Sequence, residues 1–297
     1  MFFQWFVIIF AWVSVVLFII LAGYKFYQFR SMPLNLRWEV YPVPHETKEK
    51  RVYGGSYMES EDWAVKPRST SNWAELVELG SEIFLLKRVR AHNPYGLWPL
   101  SMALHWGIYL LLMWIALLFA AIFIPELGNL AVGVGVGAFL LGIVGSVGLI
   151  VKRATNRNLA PYTAPVDYFN LTFLAVIFGL GLVSWLMDPL FSAHQAYIRS
   201  LLFFKPVSVP LAPISMFLIL QVFAIYMPLS KLIHYLMKHF TFTEVLWDDA
   251  FKTKGSQVDQ RIEQQLSYRA TWAGPHFTGE NSWLEEAQRG AVEGDGQ

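Results

Sequence analysis

The chain has 297 residues, of which 55% are hydrophobic and 15% are charged, and its mean hydropathy is positive. This composition excludes a soluble globular protein of the same length, which could not bury so much apolar surface, and it predicts a lipid-facing chain. A net charge of +1, without a basic stripe bearing interleaved aromatic residues, gives no indication of nucleic-acid binding. Because the chain has no cysteine, any thiolate-ligated iron–sulfur cluster must belong to a partner.

Five apolar segments are long enough to cross a bilayer, which requires about 20 predominantly apolar residues. They are residues 2–21, 100–124, 130–151, 166–187 and 213–236. The fifth segment contains only Gln221 and Lys231 as clearly polar interruptions. We therefore predict an all-α integral membrane protein built as a bundle of five transmembrane helices.

The first segment has the features of a retained anchor. A cleaved signal peptide is the alternative, but no basic residue precedes the apolar run, whereas Lys25 and Arg30 follow it. This order predicts an N-terminus outside the cytoplasm. Of the 23 Lys and Arg residues, only Arg199 and Lys205 then lie outside, as the positive-inside rule requires. We expect a multi-pass protein of the cytoplasmic (inner) membrane with a cytoplasmic C-terminus.

The spans divide the chain into four parts: a first transmembrane helix (1–30), a cytoplasmic insert (31–97), a four-helix membrane core (98–240) and a cytoplasmic tail (241–297). The insert contains an amphipathic run near residues 73–89. A loop of this length is usually functional or ordered by a partner, although a solvated connection is the alternative. Aromatic residues in the insert and tail are typical interface anchors. They are Trp38, Trp63, Trp73, Trp247, Trp272 and Trp283.

The sequence also predicts where one external loop lies and how the third helix packs. Residues 188–212 form a predicted external loop whose apolar stretch, Leu201 to Phe204, is expected at the membrane surface. The third helix is rich in glycine, which indicates close helix packing in lipid. These glycines are Gly133, Gly135, Gly137, Gly142 and Gly145.

Two histidines fall inside predicted spans, where ionisable residues are costly. His105 lies near the start of the second helix and His234 near the end of the fifth. Because these helices run in opposite directions, both imidazoles are predicted at a similar depth near the cytoplasmic face. Two such histidines can hold a haem b as axial ligands. Hydrogen-bonded packing is the alternative for each.

Other polar residues in or near the predicted spans are candidates for secondary roles beside the histidine pair. His239 is five residues further on, about 140° around a helix, so it is only a fallback ligand. Lys231 and Lys238 are expected to extend to the lipid headgroups, although one of them could contact a haem propionate. Asp167 and Tyr226 are candidate polar neighbours of a quinone, with structural roles as the alternative.

The segment 227–234, MPLSKLIH, resembles the end of the last helix in the gamma, cytochrome b subunit of respiratory nitrate reductase. The segment 149–153, LIVKR, and the position of His105 after LWPL at 97–100 are similar to the same family. The resemblance covers about residues 95–240, and the pattern Pro-x-Ser-Lys/Arg-x-x-His is its most specific part. It implies that His105 and His234 are the ligands of the inner haem iron.

The tail motif YRATWAGPHF at 268–277, followed by Ser282 and Trp283, is similar to membrane subunits of heterodisulfide-reductase-like complexes. These include sulfite-reductase-associated and transmembrane redox complexes. The resemblance implies a subunit that anchors a cytoplasmic iron–sulfur protein of heterodisulfide-reductase type and exchanges electrons with menaquinone. Further membrane subunits or external cytochrome c subunits are partners of such complexes.

The chain departs from the nitrate reductase pattern at the outer haem. The two outer ligand positions are occupied by Ile115 and Met216. Met216 precedes His234 by five helical turns, but the second helix offers only Leu112 and Ala116 at that level. We therefore predict one haem b, with Met216 in a packing role; Met216 or Met113 as an unusual ligand of a second haem is the alternative.

The resulting prediction is an electron-transfer subunit of an oxidoreductase, without catalytic residues of its own beyond a quinone site. The alternative is a membrane anchor or transporter whose buried histidines are structural or relay protons. Neither an inverted repeat nor paired broken helices favours transport.

Overall fold

The computed structural model describes residues 1–32, 43–44, 46, 59, 61, 71–247, 254–269 and 280–294. Within these ranges the chain is mostly helical, at 80%, and contains no strand. The described helices are α1 (Phe2–Arg30), α2 (Asn72–Leu85), α3 (Lys87–His92), α4 (Trp98–Ala120), α5 (Leu127–Thr155), α6 (Pro165–Met187), α7 (Ser192–Phe203), α8 (Leu211–Tyr226), α9 (His234–Phe240), α10 (Gln257–Leu266) and α11 (Trp283–Gly294).

Among the residues that the structure describes, five helices have the length and apolar composition needed to cross a membrane, in agreement with the predicted number of spans. They are α1, α4, α5, α6, and α8 with the 3₁₀ turn that extends it to Leu229. Most of their surface is apolar and exposed, as expected where lipid replaces water. The protein is therefore a multi-pass membrane protein.

The described chain divides into two compact units. The first comprises Met1–Lys25 and Leu76–His234, and the second comprises Phe26–Glu75 and Tyr235–Gln297. In the first unit, α4, α5, α6 and α8 pack as successive antiparallel neighbours around one apolar core. α1 contributes Val7, Ile8 and Ala11 to this core from one face.

In the second unit, Phe26 and Phe29 pack against Phe240, with ring centroids 5.1 and 6.0 Å apart. α10 and α11 are joined by an antiparallel bridge between Arg269 and Ser282.

Close packing of α4 on α5 depends on glycine. A Cβ atom on Gly107 would lie 2.6 Å from the backbone nitrogen of Gly142, so only glycine permits this approach. A Cβ atom on Gly145 would overlap the backbone of Leu104. The predicted packing role is confirmed for Gly142 and Gly145, whereas Gly133 faces open space.

The predicted external loop contains a helix. Residues 192–203 form α7, and its inward face is buried against the end of the bundle. In the stretch predicted at the membrane surface, Phe203 and Phe204 are about half exposed, whereas Leu201 is buried in the protein. The periodic spacing of the buried residues explains why the segment is helical: His194, Tyr197, Ile198 and Leu201 share one face.

The fifth spanning helix ends earlier than the sequence predicts. α8 stops at Tyr226, a 3₁₀ turn covers Met227–Leu229, and Ser230 is extended. Pro228 lacks the N–H that an α-helix would require at this position, which explains the end of regular hydrogen bonding. The Ser230 hydroxyl accepts a hydrogen bond from the Leu232 N–H and so starts the following 3₁₀ turn.

Candidate functional site

His105 is held in the second turn of α4. The helix begins at Trp98 with Pro99 in its first turn, a position that proline favours. The His105 Nδ1 atom lies 2.7 Å from the carbonyl oxygen of Ser101, one turn earlier. Because a carbonyl can only accept, this contact places the imidazole proton on Nδ1 and leaves the lone pair on Nε2.

His234 begins the short helix α9 after the break at Ser230. Its Nδ1 atom faces the carbonyl oxygen of Lys231 at 3.4 Å. This contact favours the same tautomer as in His105, with the lone pair on Nε2. Metal-bound histidines commonly donate their other N–H to a carbonyl in this way, which fixes the orientation of the ring.

The structure brings the two imidazoles together. The ring centroids of His105 and His234 are 6.2 Å apart, and the ring planes are inclined by 66°. The sequence places these residues on different helices 129 positions apart, so their proximity is a result of the fold. His105 is half-buried and His234 is exposed.

The separation equals that expected for two imidazoles on opposite sides of one metal ion, and it also lies in the range of an edge-to-face contact between two rings. Metal–imidazole bonds are about 2.0–2.1 Å long. The centre of an imidazole lies about 1.1 Å from its nitrogen, given ring C–N bonds of about 1.33 Å. Two opposed imidazoles are thus expected with centroids about 6.3 Å apart, compared with 6.2 Å here.

The described residues offer two histidines at this site and no larger ligand group. Among the residues that the structure describes, no group of three or more His, Cys, Asp or Glu side chains could hold a metal. A structural zinc site requires about four protein ligands. Haem requires only axial ligands, since its macrocycle occupies the remaining coordination positions of the iron. Two imidazoles are the protein ligands that a bis-histidine haem would need.

The end of α2 is bound to the helix that carries His105. Trp98, Trp106 and Tyr109 donate hydrogen bonds to the carbonyls of Leu85, Phe84 and Ile83, at 2.8, 3.2 and 2.9 Å. Those carbonyls belong to the last turn of α2, where no following helical N–H can reach them. The Tyr109 ring also contacts His105 edge-on, with centroids 6.3 Å apart. α2 therefore supports the ring that orients His105.

The polar residues beside the histidine pair have protein partners. Lys231 forms an ion pair with Asp167 at 3.2 Å. Asp167 also accepts a hydrogen bond from the Ala164 N–H, which caps α6. The Tyr226 hydroxyl donates to the side-chain oxygen of Asn170 at 2.7 Å. These contacts support structural roles for Asp167 and Tyr226.

Ile115 and Met216, which the resemblance predicts at the outer haem ligand positions, belong to the packed interior. Met216 is fully buried, and Ile115 packs against the same core. Leu112, Met113 and Ala116 are exposed on the lipid-facing side of α4. Met113 and Met216 thus lie in different environments, one at the surface and one in the core.

One buried histidine was missed by the sequence reasoning, which assigned it to an external loop. His194 in α7 has no exposed surface and is surrounded by Trp114, Phe191 and Phe217, with ring centroids 5.1–5.5 Å away. Neither ring nitrogen has a hydrogen-bond partner among the described residues. Burial lowers the pKa of His194 from 6.5 to about 4, despite the opposing effect of Asp188. The periodicity of α7 is the signal that could have revealed it.

The other histidines lie away from this pair or outside the described residues. His92 is exposed at the end of α3, and His239 contacts Phe240 in α9. His45 and His276 lie outside the described residues, as do Trp38, Trp63 and Trp272 of the predicted docking segments.

Comparisons with protein-family models, curated protein sequences and solved structures found no match to this chain.

Proposed function

We propose that this chain is the membrane cytochrome b subunit of a respiratory redox complex, with one haem b held by His105 and His234. It relays electrons between menaquinone and a cytoplasmic iron–sulfur partner. The observation that carries the proposal is the 6.2 Å separation of the two imidazoles, which suits opposed ligands on one iron.

Haem would supply reversible one-electron chemistry at this position. The chain supplies the two imidazoles, and the carbonyls of Ser101 and Lys231 hold their tautomers. Tyr109, tied to the end of α2, limits rotation of the His105 ring. Lys231 remains paired with Asp167, which supports an electrostatic role at the edge of the site.

The absence of cysteine supports the assignment of the iron–sulfur clusters to another subunit. Without thiolates, this chain cannot hold the iron–sulfur clusters that would receive or deliver electrons. The partner is therefore an iron–sulfur protein, of heterodisulfide-reductase type by the resemblance of the tail. External cytochrome c subunits are the natural partners at the other face.

The distribution of Lys and Arg supports an orientation in the cytoplasmic membrane, with the N-terminus outside and the C-terminus in the cytoplasm. In this orientation the histidine pair lies near the cytoplasmic face, where an iron–sulfur partner can approach. The insert after α1 and the tail after residue 240 then lie on the same side of the membrane as that partner.

Aromatic residues of the insert and tail support the docking role. Trp73 is 73% exposed and Trp283 is 41% exposed, so both are accessible to a partner. Trp247 is buried against Phe242 and thus has a packing role in the free chain. Deletion of residues 248–297 should release the partner from membranes and leave the haem in place. Full retention of the partner after removal of both this segment and residues 33–70 would contradict docking.

Substitution of the ligands tests the proposal. His105→Ala and His234→Ala should each abolish the sharp reduced bands of a low-spin haem in the purified chain, because an iron with one remaining imidazole is no longer bis-histidine ligated. His92→Ala replaces an exposed histidine away from the pair and should retain the spectrum. Full haem content with an unaltered spectrum in both ligand variants would refute the assignment of these two histidines. An unmodified chain without any haem band would favour an anchor or transporter with structural histidines.

A further inference from the structure

The outward face of α7 and the segment that follows it form a cavity. Its volume is about 470 Å³, within the range of small-molecule sites. The lining residues are Ala196, Arg199, Ser200, Phe203, Lys205, Pro206 and Val207. Ala196, Arg199 and Phe203 recur at helical spacing, so they form one stripe along α7.

Two cations line this cavity. Arg199 and Lys205 are exposed, and neither forms an ion pair with an acidic residue in the described part of the chain. The acidic residue closest before α7 in sequence is Asp188. Its side chain accepts a hydrogen bond from the Ala193 N–H at 2.8 Å. Neither cation is therefore held in an ion pair within the described residues.

The placement of these cations is selective. The loops at this end of the bundle, residues 121–126 and 188–210, contain no other Lys or Arg. Both basic residues of this end thus lie in one cavity. Basic residues scattered for solubility alone would not be expected to converge in this way.

A smaller cavity adjoins the first. Its volume is about 60 Å³, and it shares Ser200 and Val207 with the first. It lies between α1, α7 and the start of α8, and its lining is mixed, with Val7, Ile8 and Ile214 beside polar residues such as Gln4 and Ser208. Cations beside exposed aromatic side chains suit an amphiphile with an anionic head.

We propose that Arg199 and Lys205 bind the headgroup phosphate of an anionic phospholipid, whose apolar part lies along Phe203 and Val207. Charge complementarity selects the anionic head, since basic pockets on membrane proteins bind such headgroups. Position in a membrane protein selects a lipid over a soluble anion. Phe203 and Phe204 are 51% and 55% exposed, which provides apolar contact area beside the cations. This proposal does not depend on haem binding.

The test measures retained lipid by native mass spectrometry of the full chain in nonionic detergent. Phosphatidylglycerol and phosphatidylcholine with identical acyl chains are compared. We expect at least tenfold tighter binding of phosphatidylglycerol, and loss of that preference in the Arg199→Gln/Lys205→Gln variant. Arg157→Gln/Lys254→Gln removes two exposed cations elsewhere and should keep the preference.

Equal binding of the two lipids by the unmodified chain would overturn the proposal, as would a preference that survives in the Arg199→Gln/Lys205→Gln variant. A separate arm adds inorganic phosphate in place of chloride at the same ionic strength. Displacement of the lipid by phosphate would mean that the cavity recognises a free anion, and it would also overturn the lipid assignment. Retention of the lipid in phosphate supports it.

Discussion

Acid should destabilise the protein through His194. The ring is completely buried among aromatic side chains, so the folded protein binds a proton there only when the pH falls to about 4. In the unfolded chain the same imidazole has its ordinary pKa of 6.5. Between these values the unfolded state binds more protons than the folded state, and the free energy of unfolding falls as the pH is lowered.

The size of the effect follows from the pKa difference. One pKa unit corresponds to about 1.4 kcal/mol, so full protonation of the unfolded chain costs the folded state about 3 kcal/mol. At pH 5 the expected loss is about 2 kcal/mol. The stabilisation is fully present above pH 6.5 and is lost as the pH approaches 4.

The perturbation is His194→Phe, which keeps an aromatic ring in the site and removes the titrating group. Unfolding by sodium dodecyl sulfate in mixed micelles, at pH 7 and pH 5, gives the free energy for each variant. The difference between the two pH values should be smaller by about 2 kcal/mol in His194→Phe than in the unmodified chain. His92→Phe replaces an exposed histidine and should keep the original pH dependence. The reasoning is refuted if the free energy of unfolding of His194→Phe falls between pH 7 and pH 5 by as much as that of the unmodified chain.

Two further outcomes are expected. Gly142→Leu should destabilise the bundle by about 1–3 kcal/mol, because a Cβ atom there overlaps the ring of Phe178. Gly133 faces open space, so Gly133→Leu should be nearly neutral in the same unfolding assay. Haem extraction quantified against protein should give one haem per chain, since Ile115 and Met216 pack in the core; a ratio near two would contradict the single-haem proposal.

The spanning helices could be predicted because an apolar run of about 20 residues has few alternatives to a transmembrane helix. Their ends could not be predicted as well. α1 continues to Arg30, about nine residues beyond the apolar run that ends at Leu21, through a more polar stretch that begins near Tyr24. Helix ends depend on caps and neighbours, which mean hydropathy does not describe.

The end of α8 was predicted wrongly, although residues that oppose a continuous helix are visible in the sequence. Pro228 and Ser230 are both visible in the sequence, and both oppose a regular α-helix there. The surrounding apolar residues nevertheless suggested a continuous span to residue 236. The break has a consequence for the site, since His234 starts a new helix and its direction no longer follows from the period of α8.

The proximity of His105 and His234 agrees with the depth predicted from antiparallel helices. The tautomers of the two rings could not be predicted from the sequence, because they depend on contacts with the backbone carbonyls of Ser101 and Lys231. The support from α2 also required it, since the contacts join Tyr109 and Ile83 across 26 positions. His194 was missed because its burial depends on Trp114 and Phe217, which belong to other helices.

The most direct test of the central claim is the visible absorption spectrum of the purified full chain, recorded oxidised and after reduction with dithionite. The account predicts the sharp reduced bands of a low-spin haem b with two imidazole ligands. A chain that is correctly folded, and was produced in cells supplied with haem, yet shows no reduced haem band would contradict the assignment of His105 and His234 as haem ligands.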